Sequence, residues 1–499
     1  MTKYNDWHNI MLIPFFDNKG EIIMLNYVLR IRDLVHGTIL FTKEEERIIN
    51  HPFFQRLRQI RQNDVAFYVY PSMNTSRFEH TLGVCRVAGM MAETLIKSPK
   101  WSDYFKELKK ETGIRTKEEF VKIRRFYALL HDIGHLPLSH LFEYSMESWT
   151  GSPTDYLEII KEWTGFVGFE KLHEGFGAPI SEKIIKDSKI PDHLGKVVLN
   201  LMKEKTFLPS HSLSVIKSII DSEIDADRID FVQRDGLLAG GEYGHYDTRR
   251  LCDAVFVEQD ENGWLIAYSE KALTSMEALL LDRYRTYEWI HFHQRVIVIK
   301  MLVRFLIEQA LESKTLTKEH FNTGNVEEFS LKDDVWLWDI LRNMKSDNQF
   351  VRMAQRAVFY REKKNILNLW KTRPIYHTLQ EKLAGKVRRR LPLDFDKEHP
   401  YQRHLSRADN MDMPTLTFKI KFTPVDKKAV YLYSEAEKKL TGKNLFEISK
   451  LISSLEIIWE DEPQYFILFI GHNVRGKADK ITEKWITLTA NWILQGKLW

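Results

Sequence analysis

Cysteine is almost missing from these 499 residues: there are two, Cys85 and Cys252, far apart and in apolar surroundings. That scarcity argues against a disulfide framework and a thiolate zinc site, and it fits a reducing cytoplasm. Long apolar runs are missing as well. No segment offers about 18 uncharged apolar residues in succession, and the opening MTKYNDWHNIMLIPFFDNKG lacks a basic stretch followed by an apolar one, so neither export nor a membrane span is expected. Charge of one sign is not in excess: 73 basic and 69 acidic residues leave +4, too even a balance to make nucleic acid the default partner. Gly and Pro are scattered, and no internal repeat or low-complexity tract interrupts the chain.

What is present is enough apolar residue, 43%, for a large core in more than one unit. Residues 1–42 read as N-terminal strands and turns, short ones from about residue 20. From 43 to 310, apolar residues recur at helical spacing, as in EEFVKIRRFYALL and VIKSIIDSEIDADRIDFVQ. One interruption, LCDAVFVEQDENGWLIAYSE, has strand-like runs around Glu261-Asn262-Gly263 and predicts a hairpin inserted between helices. Beyond 311, WLWDILRNM and QFVRMAQRAVFYR read as helices, and TLTFKIKFTP, KAVYLYS and PQYFILFI as strands, so residues 311–499 are expected to form a smaller α+β lobe, regulatory or oligomeric in role. The fold class is thus mainly α, a helical core with a β-hairpin insertion and a C-terminal α+β lobe. The basic run KVRRR, Lys386 to Arg390, reads first as a solvated face and second as an anion-binding patch.

The stretch HDIGHLPLSH, residues 131 to 140, concentrates chemistry. A helical pattern runs into His131 and Asp132 before Gly134 and Pro137 end it, which sets an imidazole and a carboxylate at a helix terminus. A metal ion between helices accepts such a pair if others supply more ligands. His80 in SRFEHTLGV and Asp227 in SEIDADRIDFVQRD are the candidates. Each taken singly is equally a cap or a buried hydrogen-bonding residue, and Asp225 and Asp230 read as surface charges or a cap. His135 falls four residues after His131, so a helix continued one more turn puts both rings on one side.

The order of RDLVHGTILFT, HPFFQRLRQIRQ, SRFEHTLGV, HDIGHLPLSHLFE, SEIDADRIDFVQRD and DRYRTYEWIHFHQ resembles the HD-domain phosphohydrolases. The branch is that of bacterial dNTP triphosphohydrolases and the human sterile-alpha-motif HD-domain dNTP hydrolase, and the resemblance spans roughly residues 28 to 310. It implies His80, His131, Asp132 and Asp227 as ligands of a divalent ion (manganese, iron, magnesium or zinc), with positions left for water and a phosphate oxygen. His135 resembles the active-site histidine beside the metal, His140 and Glu143 the pair that handles the proton at the scissile ester, and His173 a phosphate-facing histidine. Arg77, Arg228 and Arg283 match phosphate-binding basic positions.

By the same resemblance Gln62 and Asp235 contact the ribose 3′-hydroxyl. The chain departs from the pattern at Phe231, where a tyrosine is expected. It departs again at Asn63 and His291, where an apolar residue and a tyrosine commonly crowd the 2′ position. A polar wall there need not reject a 2′-hydroxyl.

The implied activity is hydrolysis of a dNTP to the deoxynucleoside and inorganic triphosphate. Ribonucleotides, nucleoside monophosphates or cyclic nucleotides are the alternative substrates, and a nucleotide sensor or nucleic-acid-binding scaffold is a third reading. Partners implied are the nucleotide substrate, a regulatory nucleotide and further copies of the chain as a dimer, tetramer or hexamer. Nucleotide-pool control or starvation of an invading phage is the biological expectation.

Overall fold

Ile23, Leu25 and Tyr27 turn inward while Ile22, Met24 and Asn26 face solvent, the period-two alternation of a strand with one buried face. In the computed structural model, which describes residues 11–17, 19–204, 211–368, 415–420, 430–460, 464–484 and 487, this alternation runs through one long strand. Strands β1 (Met11–Phe16), β2 (Ile22–Asp33) and β3 (Gly37–Thr42) make an antiparallel sheet in that order. The short strands expected here are replaced by the 12-residue β2, because its first half pairs with β1 and its second with β3. A register shift between Tyr27 and Leu29 separates the Tyr27–Thr42 pair from the rest of the β3 pairing.

The rest of the first three hundred residues is mostly helical. The helix Arg77–Leu95 packs against Lys117–Leu130 on one side and Ala226–Ala239 on another. Its start is fixed locally: the Ser76 hydroxyl accepts from Glu79 N, and the Glu79 carboxylate accepts from Ser76 N at 3.0 Å. Such a reciprocal cap contributes about 1 kcal/mol and decides which turn carries His80. Gly83 lets the third helix approach, since a Cβ there would lie 1.9 Å from the Asp230 carboxylate.

Past His131 the α-helix does not continue for the extra turn that would align His131 with His135; residues 131–134 are turns. The turn is closely packed. A Cβ on Gly134 would stand 2.1 Å from the His173 carbonyl oxygen and 2.4 Å from Gly177 N, on the helix Leu172–Asp187. Gly134→Ala is therefore expected to destabilise the fold by about 1–3 kcal/mol or more, read as a lower denaturant midpoint. An unchanged midpoint would show that the turn has room to spare.

Strands β4 (Val255–Gln259) and β5 (Trp264–Ser269) form the inserted hairpin, with Asn262 N and Gly263 N donating to Asp260 Oδ1 in its turn. Further along lie the helices Asp334–Asn343 and Gln349–Tyr360, then β6 (Ile366–Asn368), β7 (Thr415–Ile420), β8 (Tyr431–Ser434), β9 (Lys439–Asn444) and β10 (Gln464–Ile470). One sheet has the order β6-β10-β7. The other has the order β4-β5-β8-β9, in which β8 runs parallel to β5, so late-sequence strands extend the hairpin. Mainly helical with small sheets, the protein has the expected fold class. Among the described residues no helix is long and apolar enough to cross a membrane. The run Lys386 to Arg390 lies outside the described residues.

Candidate active site

His80, His131 and Asp227 come from three different stretches and converge on one small volume, with Asp132 at its edge, facing both imidazoles and also Arg77 and His135. His80 Nε2 lies 2.9 Å from Asp227 Oδ1 and 3.7 Å from Asp132 Oδ2; His131 Nε2 lies 3.5 Å from Asp132 Oδ2 and 3.8 Å from Asp227 Oδ1. Ligand atoms each about 2.0–2.2 Å from one cation stand about 3–4 Å apart, so the spacing suits a divalent ion. The tautomers suit it too. His80 donates through Nδ1 to Asp230 Oδ2 at 2.8 Å and His131 through Nδ1 to the Ala128 carbonyl at 2.7 Å, which turns both Nε2 atoms inward. Both are buried and neither has a hydrogen-bond partner. Burial works to lower the His80 pKa, yet Asp227 and Asp230 raise it to about 10: the carboxylates favour positive charge where a cation would sit.

A second cluster adjoins the first. Asp132 Oδ1 lies 3.3 Å from His135 Nε2, and the His135 ring stacks on His173 with centroids 4.0 Å apart. Glu143 then holds two imidazoles at once: His140 Nδ1 donates to Oε2 at 2.9 Å, and His173 Nδ1 donates to Oε1 at 2.6 Å. The backbone N–H of His173 also donates to Oε1, at 2.8 Å. With Nδ1 donating, Nε2 is the working nitrogen of each ring. Burial alone would raise the Glu143 carboxyl, but His173 and His140 hold it well below the usual carboxylate range. His140 is the solvent-facing member, its side chain 44% exposed.

Two consecutive non-glycine residues, Leu138 and Ser139, have φ of 60° and 54° immediately before His140. Each such conformation costs on the order of 1–2 kcal/mol and persists where surrounding contacts enforce it. Ser139 Oγ donates to the Arg61 carbonyl and accepts from Arg77 Nε, both at 2.7 Å.

The residues expected at phosphate are held internally. Arg77 is 2% exposed and donates to Asp132 as well as Ser139, so as placed it orients a metal-side carboxylate rather than standing open to phosphate. Arg228 and Arg283 meet on one oxygen of the buried Glu223, at 3.1 and 3.0 Å. In the expected sugar pocket, Asn63 Nδ2 donates to Asp235 Oδ1 at 2.6 Å, and His291 Nε2 lies 3.9 Å from Asp235 Oδ2. Burial raises the Asp235 carboxyl to about 7 and lowers His291 to about 3. His291 closes a π-helical turn, Tyr287–His291, a helical irregularity that recurs at functional sites. Gln62 Oε1 is buried without a hydrogen-bond partner, and Phe231 packs against the main core.

Asp230, read above as a surface charge or a cap, is fully buried and central. It accepts from His80, from His36 Nε2 at 2.7 Å and from Arg234 Nε and Nη2 at 2.9 and 2.8 Å. Its position three residues after Asp227, on the same helical face, was the available signal. Asp225 is indeed the cap, accepting from Arg228 N at 2.7 Å. Asp230→Asn is expected to weaken metal affinity by about 10–100-fold, since an amide turns a donor toward one of these N–H groups. Titration with manganese measures it, and unchanged affinity would leave Asp230 a purely structural residue.

Residues 77–235 match the HD domain family. The chain is 26% identical to the uncharacterized protein MJ1154 of Methanocaldococcus jannaschii, over 66% of this chain and 58% of that protein. It is 25% identical to the deoxynucleoside triphosphate triphosphohydrolase SAMHD1 of Bos taurus, over 74% of this chain and 64% of that protein. It thus spans less than two thirds of the length of either curated relative. A solved phosphohydrolase from Bacteroides thetaiotaomicron shares the fold, with a TM-score of 0.57 at 19% identity over 89% of this chain and 99% of that one. HD domains bind a divalent metal ion, and the His80–His131–Asp227 group can hold one. Residues 77–235 are thus an HD domain, and the chain around it is similar, at about 25% identity, to proteins named as dNTP triphosphohydrolases.

Proposed function

We propose that the protein is a metal-dependent phosphohydrolase that cleaves deoxynucleoside triphosphates to the deoxynucleoside and inorganic triphosphate. One observation carries the reading: the cation cluster and the two imidazoles on Glu143 are contiguous through Asp132 and His135. His80, His131 and Asp227, with Asp132 beside them, would hold a divalent ion, which when bound would supply Lewis acidity to a phosphoryl oxygen and acidify water. His140, its Nδ1 anchored on Glu143, presents Nε2 to the departing 5′ oxygen and delivers the proton. Partial desolvation pulls His140 below its ordinary pKa although one edge of its ring stays open to solvent, and Glu143 and the charge of an incoming triphosphate work in the opposite direction. His173 and His135 line the same side. Arg228 and Arg283, both held on Glu223, add positive charge on the side where the phosphates would lie.

A second reading keeps the site and changes the substrate to ribonucleotides. Polar Asn63 and His291, both beside Asp235, favour it, because they could hydrogen-bond a 2′-hydroxyl next to the 3′-hydroxyl that Asp235 would hold in either sugar. Incubation of the manganese-loaded protein with dNTPs, NTPs, monophosphates and cyclic nucleotides, followed by chromatography, tests both. Tripolyphosphate release from dNTPs supports the first reading and release from NTPs the second. Orthophosphate or pyrophosphate alone overturns the assigned bond, and binding without turnover points to a sensor. Regulatory nucleotides and homo-oligomers belong to the same proposal, read by turnover against nucleotide concentration and by light scattering.

A further inference from the structure

Beyond the matched residues 77–235, a second part of the chain reaches the catalytic turn. Asp334 opens the helix Asp334–Asn343 and is fully buried. Its Oδ1 accepts the backbone N–H of Leu138 at 2.7 Å, across 196 positions of sequence. Its Oδ2 accepts the backbone N–H of Arg61 at 3.0 Å and lies 3.4 Å from the Arg61 guanidinium. Two residues earlier the chain makes another attachment. Arg56, buried and lying over the Phe329 ring, donates to the Lys332 carbonyl at 3.2 Å and to the carbonyls of Ile133 and His135 at 3.1 and 2.7 Å. Residues 329–334 are thereby fastened to the segment between His131 and His140 at both of its ends.

The attachment falls where the backbone needs it. Leu138 and Ser139 occupy the left-handed region without being glycine, and such a turn relaxes unless its N–H and carbonyl groups are held. Fixing Leu138 N fixes Ser139 next to it. Ser139 carries Arg77, which carries Asp132, and the residue after Ser139 is His140. A carboxylate is the group that fits, because each of its oxygens faces a backbone N–H and it has no donor to set against either.

We propose that Asp334 is a positioning residue which, from outside the HD domain, sets the Leu138–Ser139 turn and so keeps His140 in register with the Arg77–Asp132 pair. Asp334→Asn removes one of the two backbone acceptors without changing volume. Asp333→Ala serves as the control, since Asp333 caps the same helix through Trp336 N and is not bonded to the turn. In the metal-loaded full chain, Asp334→Asn is expected to speed hydrogen exchange at Leu138 or Arg61 by at least about tenfold, while Asp333→Ala leaves both unchanged. On the best nucleotide substrate, kcat falls by about tenfold or more with KM within about twofold, and metal content is unchanged. Equal exchange in the two variants, or metal content lost along with kcat, overturns the proposal. The turnover arm rests on the hydrolase reading. If no nucleotide is hydrolysed that reading fails, and the exchange measurement alone decides the role of Asp334.

Discussion

Asp227→Ala is expected to lose metal and to lower turnover by roughly a thousandfold or more, the scale on which a hydrolase depends on its Lewis acid. Asp227 is a cleaner probe than Asp132. Asp132 also faces Arg77 and His135, so its removal disturbs the buried arginine and the second cluster at once. Among the described residues Asp227 is ion-paired with the two imidazoles, His80 and His131. Without it, His80 and His131 keep their Nδ1 bonds to Asp230 and Ala128, so the rings stay aimed at a site too poor in negative charge to retain a divalent ion. Elemental analysis beside a turnover assay checks this. A variant that held a full equivalent of metal and hydrolysed nucleotide at the parent rate would remove Asp227 from the centre. Chelation of the parent protein is expected to abolish turnover in the same way, with recovery on adding manganese.

Glu143→Gln is expected to leave the metal in place and lower kcat by about a hundredfold to ten-thousandfold, the range associated with positioned acid–base groups. Glu143 accepts from His140 on one oxygen and from His173 on the other. Glutamine has a single acceptor, so its amide N–H group must face one imidazole N–H, and that ring has to flip or change tautomer. The loss of charge also has a definite sign. Glu143 raises the pKa of His140 against the lowering effect of burial, and without that charge His140 gives up its proton at lower pH. If His140 is the general acid, activity falls as pH rises through its pKa, so the basic limb of the kcat profile moves to lower pH in the variant. A limb that stayed in place would assign the proton to another group.

The sequence made the near relations readable and hid the far ones. His131, Asp132, His135, His140 and Glu143 fall within 13 residues, and the end of the apolar helical pattern at Leu130 marks where the chain turns toward the site. The path from His131 to His135 was not readable as a turn, because the close approach of Gly134 to the backbone of another helix is a contact made 39 or more positions away in sequence. Asp230 escaped notice for a similar reason. A carboxylate on a charged helix looks solvated until its partners appear, and His36 stands 194 positions away. Glu223 and Asp334 sit among other acids in the sequence, and their roles depend on arginines and amides brought from elsewhere in the fold. Periodicity reports which face of an element is buried; it does not report what a buried carboxylate meets.

The parallel pairing of β8 with β5 also bears on how the protein is made. As the polypeptide leaves the ribosome, the outer edge of β5 emerges with its hydrogen-bonding groups unmatched, and the strand that matches them follows roughly 160 residues later. At about 5–20 residues per second that interval is on the order of ten seconds or more. Throughout it the nascent chain displays a bare strand edge that another nascent chain could zip onto. Expression would then be sensitive to translation speed and to chaperone supply, even though in the finished protein β8 pairs with the second half of that edge, Ala267 to Ser269.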